Sequence, residues 1–321
     1  MDTTITVLDA GGRYGIHPTW KGFAGDISYI MFEPERDEAA RLAASYGETR
    51  PDIRVENMAL GEQAGELEMH VYRHRGQSSH YKPNDANLWF AVARPGEGEI
   101  IDTYAAPVVT VDGYAQDHDL QFDFMKIDTE GHELSILKGA EKQLSDHVLG
   151  VRAEVYFDQV LHDIPLFSEL HDFFMARGFQ LLNLGYSGRG QHMNAFAAGD
   201  RYGILLDSDA VWVRRLDSLE GLGGAVKCLK YAAFCLKNDA SDVAMAALLK
   251  GVDTWGYDYS AYAGTVLYKG LDVSIQRLCK GLQDRPGQDP VVLEDAYRKV
   301  FARKLKSMHD FYQSEEINPL T

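Results

Sequence analysis

Over the first 218 of 321 residues, short β-rich runs alternate with stretches of helical spacing, and this alternation constrains the chain more than any other feature. Strands separated by amphipathic helices pair in parallel with the helices crossing over the sheet faces, so the pattern calls for βαβ units and a mostly parallel sheet. The core runs lie at residues 5–8, 29–32, 53–60, 122–127, 149–156 and 179–184. Helical spacing appears at Ala40, Leu42, Ala43 and Tyr46, at Leu134, Leu137 and Ala140, and over residues 166–176. Two further β-like runs, 66–72 and 107–111, flank a polar loop and read as an insertion, and the runs 203–206 and 210–213 close the region.

Beyond residue 218 no run alternates as a strand does. Tyr297, Val300, Phe301, Leu305, Met308 and Phe311 recur at helical spacing, and residues 219–314 read as about four helices, broken near Asn238-Asp239, Trp255-Gly256 and Pro286-Gly287. The expected division is therefore 1–218 for an α/β domain and 219–321 for a helical one. With 45% apolar residues the chain can bury a core of that size.

Charge follows the same division. The net charge of −16 arises wholly before residue 219, where 19 Lys and Arg face 35 Asp and Glu, against 13 and 13 afterwards. Such an acidic body repels phosphate backbones, so no nucleic-acid partner is expected. Cys228, Cys235 and Cys279 are odd in number and lack metal-type spacing, which suits reduced, buried thiols in a cytoplasmic protein. No window approaches 18 apolar residues and no basic flank precedes an apolar stretch at the N-terminus, so neither a membrane span nor secretion is expected.

The chemistry concentrates at strand ends. The turn after the first strand reads Asp9-Ala10-Gly11-Gly12-Arg13-Tyr14-Gly15. Glycines there let backbone approach a ligand, but a dinucleotide fingerprint ending at Gly15 would put Ala10 where its first glycine belongs. An acid at the strand end suits a ligand with a cationic part. Glu33, at the tip of the second strand, can accept from both hydroxyls of a ribose. Together Asp9 and Glu33 fit an adenosine bearing a cationic amino-acid tail, S-adenosylmethionine. At these residues the chain resembles class I methyltransferases.

The segment from Phe124 to Ala140, with Lys126, Asp128, Glu130, Gly131, His132 and Glu133, looks like the hallmark of the FkbM-type methyltransferases. Asp9 to Gly15 corresponds to that family's Asp-x-Gly-Ala-Asn-x-Gly motif, Phe32-Glu33-Pro34 to its ribose-binding segment, and Ala59-Leu60-Gly61 with Gly65 to its third-strand turn. The resemblance spans about residues 4 to 157 and does not reach the helical region. It implies a mostly parallel seven-stranded sheet, S-adenosylmethionine as cofactor, and methyl transfer to a hydroxyl of a sugar, glycan precursor or other natural product. The cofactor-binding residues implied are Asp9, Gly11, Gly12, Arg13, Gly15, Glu33 and Asp128. Arg13 stands where the family has asparagine, and its guanidinium is expected to meet the methionine carboxylate.

Asp128 and Glu130 are expected to border the sulfonium and the acceptor, with Glu133 a structural acid at a helix start. Candidates for the base are Glu130 and Glu154, followed by His132, His192 and His17. Ser78, Ser79 and His80 resemble the family's serine-rich loop at the pocket edge. A divalent ion on Asp128, Glu130 and Glu154 is an alternative that the spacing does not require, and no metal is assigned. The helical region is expected to cover the acceptor side, with Trp255, Tyr257, Tyr259 and Tyr262 available for stacking, or to form a homo-oligomer through Tyr297, Phe301, Leu305 and Met308. A nicotinamide-dependent oxidoreductase and a non-catalytic interaction protein are the competing classes.

Overall fold

The computed structural model describes residues 2–20, 27–190, 192, 203–220, 222–283 and 289–302. In chain order the strands are β1 (Ile5–Ala10), β2 (Ile27–Phe32), β3 (Ile53–Glu56), β4 (Ala59–Leu60), β5 (Gly65–Tyr72), β6 (Ile100–Val109), β7 (Phe124–Ile127), β8 (Gly150–Tyr156), β9 (Phe179–Gly190) and β10 (Ile204–Arg214). The helices are α1 (Arg36–Tyr46), α2 (Val111–Asp117), α3 (Glu133–Lys138), α4 (Glu141–Asp146), α5 (Phe167–Ala176), α6 (Gly224–Lys237), α7 (Ser241–Asp253), α8 (Val266–Gln283) and α9 (Pro290–Phe301).

Seven strands form one sheet in the order β3-β2-β1-β7-β8-β10-β9. β2 pairs with β3, β1 with β7 and β7 with β8 in parallel, while β10 runs antiparallel to both β8 and β9. This is the mostly parallel seven-stranded α/β sheet that the sequence resemblance implies. Period-two alternation sets its faces. On β8, Val151, Ala153 and Val155 enter a core shared with Leu8, Met125 and Trp212, and Arg152, Glu154 and Tyr156 take the opposite face. Leu170, Phe173 and Phe174 of α5 recur one helical turn apart and pack into the same core, Phe174 stacking on Trp212 at 4.4 Å between ring centroids.

The insertion is a second sheet of three strands, ordered β4-β6-β5. Three local readings change. The run 53–60 is two strands in different sheets, because the chain turns at Asn57, whose side-chain amide donates to the carbonyls of Glu33 and Pro34. β6 starts at Ile100 rather than near 107, since residues 100–106 pair along β5, and Val111 opens α2 behind the Thr110 cap, whose hydroxyl accepts from the Gly113 amide. The runs 203–206 and 210–213 are one strand, because Asp207, Ser208 and Asp209 continue the pairing with β8.

The chain divides into two compact units, one containing Thr6–Gly15 and Ser28–Arg214, the other Met1–Ile5, Ile16–Ile27 and Arg215–Thr321. These units differ from the expected 1–218 and 219–321 segments because Trp20, buried, stacks on Phe234 of α6 at 5.6 Å and so belongs with the helices. Among the described residues the helices α6 to α9 break at Asn238-Asp239 and around Trp255-Gly256 as the sequence indicates, and Pro286-Gly287 lies outside the described residues. Tyr297 and Phe301 are buried inside this unit, the Tyr297 hydroxyl donating to Asp272. The apolar stripe offered for oligomerisation thus spends these two residues on its own core, and Leu305 and Met308 lie outside the described residues. Tyr259 is likewise buried, its hydroxyl donating to the Leu248 carbonyl. The three cysteines are buried and free. Among the described residues no helix is long and apolar enough to cross a membrane.

Candidate active site

Parallel strands put their carboxyl ends on one edge, and the turns leaving β1, β2, β7 and β8 gather there into a crevice. In the turn after β1, the Gly11 and Gly12 amides donate to the Phe32 carbonyl at 3.1 and 3.3 Å. Gly11 has a φ of 80°, and a Cβ there would meet the Asp128 carbonyl oxygen at 1.8 Å, so only glycine allows the two turns to touch.

A pocket of about 280 Å³ opens beside this turn, walled by Gly11, Arg13, Glu33, Asp128, Glu130 and Glu154. Glu33 is buried, and one of its oxygens accepts from the Glu35 amide at 2.9 Å. Burial pushes its carboxyl pKa up to about 7. A small apolar slot adjoins this pocket, lined by Phe32, Met58, Leu60, Leu67 and His132, and it shares Gly11, Pro34, Met69 and Thr129 with it.

On the other side lies a pocket of about 270 Å³ whose walls include Trp89, Phe90, Tyr156, Asp207 and Asp209. Asp128, Glu130, Glu154 and Gln77 line both this pocket and the first, and so form the partition between them. Side-chain oxygens of the three acids lie within 4.8 Å of one another. The Tyr156 hydroxyl sits 2.8 Å from Glu130 Oε2 and 2.7 Å from Glu154 Oε2. Burial, then the neighbouring acids, raises the pKa values of Glu130 and Glu154 well above the usual carboxylate range.

A sequence-family profile described as the Methyltransferase FkbM domain matches residues 9–181, more than half of the chain. The chain belongs to this family. Among solved structures it is similar to a methyltransferase FkbM from Methylobacillus flagellatus, at 17% identity and a TM-score of 0.38, over 66% of this chain and 44% of that one. It therefore spans less than half the length of that relative. SAM-dependent methyltransferases from Aquifex aeolicus (10% identity, TM-score 0.32, 64% of this chain and 81% of the other) and Agrobacterium tumefaciens (12%, 0.33, 66% and 56%) are also similar. No curated protein matches the chain.

Within this FkbM domain the candidate residues separate into two groups. Gly11, Arg13, Glu33, Asp128, Glu130 and Glu154 line the first pocket. Asp9 does not: it is fully buried beneath the turn, accepting from the Tyr29 hydroxyl at 2.5 Å and ion-paired with Lys126 at 3.1 Å. Asp9 and Lys126 are cross-strand partners in the β1–β7 register, so their side chains share a face and pair inside the sheet. Lys126 also reaches Asp128 at 3.3 Å and donates to the Gly11 carbonyl at 2.9 Å. Burial alone would lower the pKa of this ammonium, but Asp9 and Asp128 hold it above its ordinary value. Gly12 packs against Met31 and Gly15 against the Tyr46 hydroxyl, which makes both parts of the turn's support. The Arg13 guanidinium is engaged by Glu35 at 2.6 Å, and Arg75 from the insertion takes the other Glu35 oxygen at 2.5 Å.

Glu133 folds back on its own loop, accepting from the Thr129 amide at 2.8 Å and hydroxyl at 2.9 Å, the structural duty expected of it. Glu130 has a left-handed φ of 54°, an unusual state for a side chain of this size, and the Ser79 hydroxyl donates to its carbonyl at 2.6 Å. Ser78 lines the first pocket and His80 the apolar slot. Burial and His80 lower the pKa of His132 to about 4, leaving it neutral at physiological pH. The His17 ring accepts from the Thr19 amide at 3.2 Å, capping a turn, and His192 is exposed. Sequence reasoning passed over Tyr156, Gln77, Trp89, Phe90, Asp207 and Asp209. Tyr156 had a signal, standing two residues after Glu154 on one strand and hence on the same face. The others reach the site through the insertion and the antiparallel strand, with no local spacing to announce them.

Proposed function

We propose that this FkbM domain binds S-adenosylmethionine in the first pocket and the apolar slot, and transfers its methyl group to a hydroxyl of an uncharged, sugar-like acceptor in the second. The observation that carries this reading is the partition of Asp128, Glu130 and Glu154 between the two pockets, since a methyl group must cross from one to the other. The residues fit this donor. The slot is lined by apolar side chains that suit a purine, Glu33 has one carboxylate oxygen beyond the one that meets the Glu35 amide to offer ribose hydroxyls, and the partition is acidic where a sulfonium would sit.

S-adenosylmethionine is consumed in the reaction and is thus a substrate, supplying the electrophilic methyl carbon. Transfer is an in-line displacement in which alignment of the acceptor oxygen does much of the work. Glu130 or Glu154 takes the hydroxyl proton, a contribution of about a hundred- to ten-thousand-fold for a positioned base. Trp89 and Phe90 give the second pocket apolar lining for the C–H side of a sugar ring, and Asp207 and Asp209 accept from its hydroxyls. The same acids disfavour phosphorylated acceptors and nucleic acid.

Calorimetric titration with S-adenosylmethionine and with a nicotinamide dinucleotide, followed by transfer of labelled methyl to a panel of neutral glycosides, tests the reading. Donor binding and alkali-stable label in the glycosides are expected, with activity persisting in excess chelator. Binding of the dinucleotide alone would return the oxidoreductase reading. Donor binding without transfer to any hydroxyl would leave only the interaction role.

A further inference from the structure

The Tyr156 hydroxyl lies within hydrogen-bond distance of two carboxylates at once, 2.8 Å from Glu130 Oε2 and 2.7 Å from Glu154 Oε2. A tyrosine hydroxyl has one proton and donates to one acceptor. If both carboxylates were ionised, one of these short contacts would set lone pair against lone pair inside a largely buried cluster. One further proton, carried on either carboxyl and donated to the phenol oxygen or onward, satisfies both contacts. The groups facing the pair from surrounding elements do not relieve it. Asp128 follows β7, Glu133 opens α3 and Asp207 belongs to β10, and each disfavours a second negative charge, while Tyr72 of β5 is a neutral phenol that donates its proton to the Tyr81 carbonyl. Of the cations on neighbouring positions, Lys126 is shared between Asp9 and Asp128, and Arg152, on the same face of β8 as Glu154, acts on Asp209.

We propose that Glu130, Tyr156 and Glu154 hold one transferable proton among them in the unliganded protein, and that the sulfonium of the methyl donor expels it, arming a carboxylate base only when the methyl group is in place. This rests on the donor reading above. The partition location of both glutamates puts the arriving positive charge beside the pair, where it offsets the second negative charge. The expelled proton goes to solvent. In the following step the acceptor O–H bond breaks and its proton joins the freed carboxylate. The acceptor oxygen bonds to the methyl carbon while the carbon–sulfur bond breaks, its electron pair staying on sulfur. Sulfonium and carboxylate charges vanish together, and the pair returns to its protonated state. The product thioether is neutral and has no hold on the ionised form.

The probes are S-adenosylmethionine and S-adenosylhomocysteine, which differ in the sulfonium and its methyl. Calorimetric titration at pH 7 in buffers of different ionisation enthalpy counts protons released on binding. Glu33 and the ligand's amino group meet both probes alike, so their contributions cancel in the difference. The wild-type protein should release on the order of one proton more with S-adenosylmethionine than with its product. Glu154→Gln leaves a single carboxylate for the Tyr156 hydroxyl and should bring the two counts together, and Glu130→Gln provides an independent second variant. Equal counts for both ligands in the wild type, or a difference that survives both substitutions, would overturn the inference. Failure of the wild type to bind either ligand would instead overturn the donor reading, and this inference with it.

Discussion

The ribose-binding role proposed for Glu33 and its burial oppose each other at neutral pH. To accept from ribose hydroxyls it must be ionised, yet burial raises its carboxyl pKa from 4.5 to about 7. The folded protein therefore holds a proton there that the unfolded chain has lost, and this group lowers stability as pH rises from about 4.5 to 7, with no further change above. A rise of that size corresponds to about 3 kcal/mol at pH 8. Glu33→Gln should accordingly raise the melting temperature of the unliganded protein at pH 8 while weakening S-adenosylmethionine binding by about 1.5 to 3 kcal/mol, the usual range for hydrogen bonds to a charged group. In the wild type, affinity should climb between pH 6 and 8, and the variant should lose that climb. Unchanged affinity in the folded variant would remove Glu33 from the donor site.

At the scale of elements, the three-stranded insertion acts on the site through backbone. Ser79, fully buried in the loop after β5, donates to the carbonyl of Glu130 and accepts from the Tyr81 amide at 3.0 Å. It thereby fixes the left-handed residue whose carboxylate faces Tyr156. Ser79→Ala leaves that carbonyl without its donor and should cost about 1 to 3 kcal/mol of stability. Turnover should fall by a larger factor than donor affinity, because the glutamate is displaced while the Glu33 end of the pocket is untouched. Comparing kcat with the dissociation constant of S-adenosylhomocysteine checks this, and a parallel loss of both would mean that the loop shapes the whole pocket. The insertion was legible as two β-like runs, but the length of β6 was not. Residues 100–105 are mostly exposed and carry little hydrophobic alternation, and pairing with β5 is what makes them a strand.

At the scale of the molecule, the helical unit depends on a contact far apart in sequence. Trp20 is buried and stacks on Phe234. Phe234→Ala should destabilise this unit by about 3 to 5 kcal/mol, seen as an early thermal transition with loss of Trp20 fluorescence shift. A melting profile identical to wild type would show that the stack contributes no stability. The four-helix pattern after residue 218 could be read locally, since apolar spacing and breakers act within a few residues. The recruitment of Trp20 could not, because a lone tryptophan in a loop has no periodicity. The sequence by itself determined the parallel sheet, the glycine turn, Glu33 at a strand tip and the Asp128–Glu130 segment, all set by spacing along one strand or one turn. Only the tertiary structure decided that Asp9 pairs with Lys126 instead of facing a ligand, and that Glu130 meets Glu154 across Tyr156. Strand register fixes which side chains share a face, and for Asp9 and Lys126 it relates segments more than a hundred residues apart; Glu130 lies in the loop after β7, and the left-handed backbone there, not a pattern along one strand, brings its carboxylate to Tyr156 beside Glu154 of β8.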